Sequence, residues 1–188
     1  MTIRLLSASA LAAAALALQA CSGGADDADR AEVSSGTLAS LVADADELSI
    51  VSETLGDAGL AQVFDGAAAY TLFAPQDAAF EALGEAGEAL QTAEQRPAMV
   101  AILRDHIVPG YLTPDDIGKA IELDADGSVV MRTMGDHTLT FTGEGEVVTV
   151  TGEDGATAQF AGDALRASNG VAIPLDAVLR KLGEAPAG

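Results

Sequence analysis

Two histidines, His106 and His137, and one cysteine, Cys21, are the side chains of this 188-residue chain best suited to metal binding or nucleophilic chemistry. Zinc would need both histidines plus carboxylates from distant segments, and no H-x-x-x-H step is present. A single cysteine excludes an intrachain disulfide and a multi-cysteine zinc site. Asp124-Ala125-Asp126-Gly127 echoes a calcium loop but lacks the third acid and the closing Glu at loop spacing, so it reads as a hairpin turn. Serine, histidine and aspartate are all present. No G-x-S-x-G, P-loop or dinucleotide glycine pattern places them for catalysis. No cofactor, metal or catalytic residue is expected.

The charge balance narrows the partners. Asp and Glu number 29 against 9 Lys and Arg, a formal net charge of -20. Nucleic acid is not expected as a partner, because phosphate binding needs clustered cations. Docking on anionic lipid through a basic patch is disfavoured for the same reason. The acid excess fits a solvated, salt-tolerant surface, the alternative being attraction of divalent cations or cationic surfaces.

Residues 1–20 read as an address. Arg4 precedes the apolar and small-residue run Leu5–Leu18, and no acid occurs before Asp26. These are the n- and h-regions of a secretory signal. Fourteen residues fall short of the roughly 20 that a spanning helix needs. Leu18-Gln19-Ala20-Cys21 resembles a bacterial lipobox, which implies cleavage before Cys21 and its diacylation, with ordinary secretion as the alternative. Acyl chains anchor at about 0.8 kcal/mol per buried methylene. Residues 21–35 are small and acidic and read as a flexible tether; residues 183–188 read as a disordered tail. Ser22 carries no obvious inner-membrane retention signal. The expected location is the envelope, at an outer membrane and facing periplasm or surface.

The rest reads as one domain. Leu38, Leu41, Val42, Ala45 and Leu48 recur at helical steps, with Thr37 or Ser35 as N-cap. Short helical pieces follow, broken at Gly56 and Gly59. Tyr70–Ala74 reads as a strand stopped by Pro75, and Asp77–Leu83 as a short helix. Pro97 opens a helix whose stripe, Met99, Val100, Ile102, Leu103 and Ile107, runs to Pro109-Gly110. Alternation then takes over. Val129–Thr133, His137–Thr142, Val147–Thr151 and Ala156–Phe160 are separated by Gly- and Asp-containing turns, which predicts an antiparallel meander. Helices first and hairpins later imply an α+β class.

Three ordered stretches resemble the fasciclin family. Tyr70-Thr71-Leu72-Phe73-Ala74-Pro75-Gln76-Asp77-Ala78-Ala79-Phe80 is similar to its T-x-F-A-P-T-[ND]-x-A-F signature. His106-Ile107-Val108-Pro109-Gly110, with Leu112-Thr113 and Asp116-Ile117, is similar to the H-[VI]-V-x-G region. Ser168 to Leu179, SNGVAIPLDAVL, is similar to the N-G-x-[IV]-x-x-[IV]-D-x-[VL]-[LI] ending. Gln76 stands where Thr is usual, Asp105 where many members carry Tyr, and Ala172-Ile173 where His is common. The Asp-Ile dipeptide linked to integrin binding in animal members is not found upstream of Asn169, so integrin chemistry is not carried over.

The resemblance implies a fasciclin-like fold over residues 36–182, with helices packed against an antiparallel β-sandwich or wedge. It implies mainly structural roles for the matching residues Thr71, Phe73, Ala74, Pro75, Asp77, Phe80, His106, Gly110, Asn169, Gly170, Val171 and Asp176. Asp77 is expected to cap its own helix, and Asn169-Gly170 to form a tight turn with positive φ. The implied function is a non-catalytic, lipid-anchored envelope protein mediating cell adhesion or contact with envelope proteins or polysaccharide. The alternative is an extracytoplasmic carrier of an apolar molecule or pigment, with Met131, Met134 and Leu139 as candidate lining unless they are core.

Overall fold

The computed structural model describes residues 33–144 and 147–182. Cys21, the leader, most of the tether and the tail lie outside the described residues. Helices dominate the first part: α1 (Leu38–Ala43), α2 (Ser49–Asp57), α3 (Ala61–Phe64), α4 (Asp77–Glu81), α5 (Glu85–Leu90), α6 (Arg96–Asp105) and α7 (Pro114–Leu123). The strands are β1 (Tyr70–Pro75), β2 (Ile107–Pro109), β3 (Ser128–Arg132), β4 (Thr138–Glu144), β5 (Val147–Gly152), β6 (Thr157–Gln159), β7 (Leu165–Ala167) and β8 (Gly170–Leu175). The class is α+β.

Two four-stranded sheets result. The meander β3-β4-β5-β6 is antiparallel throughout, as the alternation predicts. The other sheet runs β2-β1-β8-β7, and its central pair, β1 and β8, is parallel, with Tyr70 opposite Gly170 and Pro75 opposite Leu175. A parallel pair needs a long crossover, which here is most of the domain. This pair departs from an all-antiparallel expectation. A parallel pair is usually buried on both faces, and all six residues of β8 are buried. Strand alternation divides the two cores. Leu72, Ala74 and Ala172 face the helical core with Leu38, Val51, Phe80 and Leu103, while Phe73, Val171 and Ile173 face the second core with Phe141, Val150 and Ile117.

Local chemistry sets the boundaries. Thr37 caps α1 by accepting the Ser40 N–H at 3.3 Å. Gly56 lies inside α2, and the break comes at Gly59, whose φ is +68°. Ile107 continues the helical spacing of α6 but belongs to β2, because the helix closes at His106. Helix α7 opens on a capping box: Thr113 Oγ1 accepts the Asp116 N–H at 3.2 Å, and Asp116 Oδ2 accepts the Thr113 N–H at 3.0 Å. The Thr113 hydroxyl also donates to Asp116 Oδ2 at 2.7 Å, and this bond, together with that from the Thr113 N–H, holds the Asp116 carboxyl below its usual range. The Asp124–Gly127 segment joins α7 to β3 and is not a hairpin turn, with Gly127 at φ +64°. No described helix is long and apolar enough to cross a membrane.

Candidate functional site

The signature side chains converge on the ends of the parallel strand pair. At one end Asn169 lies in the two-residue turn between β7 and β8. Its Oδ1 accepts the Leu38 N–H at 2.8 Å, and its Nδ2 donates to the carbonyls of Phe64 and Gly66. One amide thus joins the start of α1 to the end of α3. Gly170 follows without a positive φ. It is required for space, since a Cβ there would lie 2.8 Å from a Leu38 methyl and closer still to the Tyr70 carbonyl. Thr71 Oγ1 donates to the Gly110 carbonyl and accepts the Leu112 N–H, both at 2.9 Å. Gly110, at φ +118°, makes that bend.

At the other end Asp77 does cap a helix, but not its own. Its carboxylate accepts the Ile50 N–H at 3.0 Å, the Ser49 N–H at 3.3 Å and the Ser49 hydroxyl, closing the first turn of α2. The start of α4 has no side-chain cap. Phe73 packs on Phe141 at a 5.0 Å ring separation, and Ala74, Pro75, Phe80 and Val171 are buried. Asp176 Oδ1 accepts the Gln159 N–H at 2.7 Å, joining β8 to β6.

His106 is completely buried. Nδ1 donates to the Ile102 carbonyl at 2.8 Å and Nε2 accepts the Leu179 N–H at 2.9 Å. That arrangement fixes one neutral tautomer. Burial drives its pKa down to about 4, against the bond to Ile102 and the Asp105 charge, which both raise it. The imidazole thereby ties the end of α6 to the third signature stretch.

Its neighbour Asp105 faces elsewhere. The Asp105 side chain is 9% exposed; Oδ1 accepts from His137 Nδ1 at 2.6 Å, and Arg180 Nη1 lies 3.4 Å from Oδ2. A Cβ at Gly135 would collide with that carboxylate, so the β3–β4 turn needs glycine there. The hydrogen bond and charge of Asp105 hold the His137 imidazole above its ordinary pKa. This polar corner closes one end of a groove of about 1430 Å³ between α5 and α6. Ala86, Ala89, Ala98 and Ala101 line its walls, and these short side chains on the two helices leave the space open. Gly87 seats α5 on α4, because a Cβ there would strike the Phe80 carbonyl.

The family model for the fasciclin domain matches residues 46–181. The chain belongs to the fasciclin family. Among solved structures, this fasciclin chain is similar to a FAS1 domain pair from the insect cell adhesion molecule fasciclin I, with a TM-score of 0.67 at 16% identity. The alignment covers 78% of this chain and 51% of that one, so the chain spans about half the length of the domain pair. At that identity the likeness shows the fold. No curated protein matches the sequence. Fasciclin domains are typically extracellular or secreted and generally non-catalytic adhesion modules.

The fasciclin frame separates the two candidate regions. The signature residues brace the ends of β1 and β8, whereas the groove draws on residues outside the signatures. Of the candidate lining residues, Met134 borders the groove, Met131 borders the second core and Leu139 is buried within it. The groove carries no sequence pattern, because alanines on both helices form its walls, in the polar α5 and within the apolar run of α6, and its corner comes from three separate segments. Asp105, in a position where Tyr is common, was the one local signal. Among the described residues, no group of three or more His, Cys, Asp or Glu is placed to hold a metal ion.

Proposed function

We propose that the chain is a lipid-anchored envelope protein whose fasciclin domain mediates adhesion to envelope proteins or polysaccharide without catalysis. The observation that carries this reading is the position of Cys21. It ends an apolar leader and stands 25 residues before the family match begins at residue 46. An acidic, self-repelling tether between them holds the domain off the membrane surface. Ser22 after Cys21, which carries no obvious inner-membrane retention signal, supports outer-membrane placement facing periplasm or surface. Fractionation tests the anchor: the wild type is expected with membranes and Cys21→Ser in the soluble fraction. Deletion of the gene is expected to reduce cell aggregation or surface attachment, restored by the intact chain. Equal rescue by Cys21→Ser would remove the anchor from the role, and unchanged attachment would remove adhesion.

The groove favours a second reading, an extracytoplasmic carrier. Its volume exceeds the roughly 300–1,000 Å³ of typical ligand sites, and Leu83, Leu90, Ile102, Met134 and Leu182 supply apolar lining. Ligand recovered with the purified protein supports this reading, and its absence after extraction into organic solvent counts against it.

A further inference from the structure

We infer that the groove between α5 and α6 binds a single-chain amphiphile with a monoanionic head, of the fatty-acid carboxylate class, its head at the Arg104–Arg180 end. This inference rests on the carrier reading and specifies the ligand. The decisive observation is local charge. Nine Lys and Arg serve a chain with 29 acids, and three of the nine, Arg104, Arg180 and Lys181, line this one groove. His137 joins them, against Glu85, Asp105 and Asp136. A threefold acid excess over the whole sequence becomes parity here.

The geometry orders these groups. Helix α6 carries Pro97 in its first turn and Arg104 in its last, about 10 Å apart at 1.5 Å per residue. Asp105, His137 and Arg180 meet at the Arg104 end, while the alanine walls run back along both helices. An apolar tail between the helices and a charged head at the corner match that division. The cations retain bonding capacity. Arg180 reaches Asp105 at 3.4 Å and Asp154 at only 3.7 Å, and among the described residues Arg104 makes no ion pair. A guanidinium presents a planar fork suited to a carboxylate. The three acids on the rim oppose a dianionic phosphate more strongly than a monoanion.

Isothermal titration of dodecanoate into the exported chain carrying Cys21→Ser, which removes the competing acyl group, tests the inference. One dodecanoate per chain is expected, with dodecan-1-ol and dodecyltrimethylammonium at least tenfold weaker. Arg104→Gln with Arg180→Gln should weaken dodecanoate tenfold or more and leave the alcohol unchanged. Arg104→Gln alone serves if the double variant does not fold. Ala98→Trp should block both ligands. Alcohol binding as tight as carboxylate, or indifference to both arginine variants, overturns the anionic head and leaves the carrier reading standing. No binding of any probe overturns the inference, and the carrier reading falls with it when solvent extraction of the purified protein also yields no ligand. Tenfold tighter binding by a chain ending at Leu182 would make the tail the occupant and overturn the inference.

Discussion

Asn169 and Arg104 illustrate two ways this domain uses polar side chains. The Asn169 amide makes three hydrogen bonds to the backbone of α1, α3 and the turn after it. Thr71, Asp77, His106 and Asp176 are likewise bonded to backbone groups of other segments. Arg104 lies on the groove rim with no ion-pair partner among the described residues. Its neighbour Asp105 holds His137 and Arg180 by side-chain contacts alone. Polar groups that satisfy backbone are fixed by the fold they complete. Groups that touch only other side chains can exchange those partners for a ligand. The residues most recognisable in the sequence are therefore those with least capacity left for a partner.

The largest expected effect lies on the bonded side. Asn169→Ala leaves the Leu38 N–H and the Phe64 carbonyl, both part-buried, unpaired, while water takes up the exposed Gly66 carbonyl, and should cost about 4 kcal/mol, read by urea denaturation. Dodecanoate affinity of the folded fraction should not change; a parallel loss of binding would break the comparison. His106 gives the next effect. The unfolded chain takes up a proton near pH 6.5 and the folded chain only near about 4. Stability is full above pH 6.5 and falls as pH drops, by about 3 kcal/mol across that interval. His106→Gln should flatten this acid limb, and an unchanged limb would refute the assignment. Asp77→Ala removes the cap of α2 and should cost about 1 kcal/mol, measured by the same denaturation.

The smallest stability change belongs to the corner. Asp105→Asn removes the charge and the charge assistance of the hydrogen bond that raise the His137 pKa, so the imidazole should titrate lower by NMR. His137 is 43% exposed, so its share of stability is small. That share is present below the unfolded pKa and fades as pH rises through the folded one. A His137 pKa unmoved in Asp105→Asn would mean the corner is not held as described.

Features with local causes were legible in the sequence. The Thr37 cap, the strand at Tyr70 and the meander from Ser128 to Gln159 follow from spacing, alternation and turn residues within a few positions. Ile107 keeps the α6 spacing although it belongs to β2, and the ring of His106, bonding back to Ile102, lies where the helix gives way to strand. Asp77 showed the right chemistry and concealed its partner, since the capped helix begins 28 residues earlier. Helix α5, EAGEAL, has no apolar stripe to reveal it. The parallel β1–β8 pairing depends on contacts across 100 residues, and the groove on side chains too small to register as a pattern.

That pairing also governs when the domain can fold. Strand β1 is residues 70–75, but its parallel neighbour consists of residues 170–175, close to where the family match stops at residue 181. A polypeptide delivered lengthwise through a tunnel or pore therefore has no central sheet until its final segment emerges. Loop-closure entropy and high contact order favour slow ordering. A chain ending before Gly170 should stay an open polymer, and one that includes β8 should remain threadable until that strand emerges.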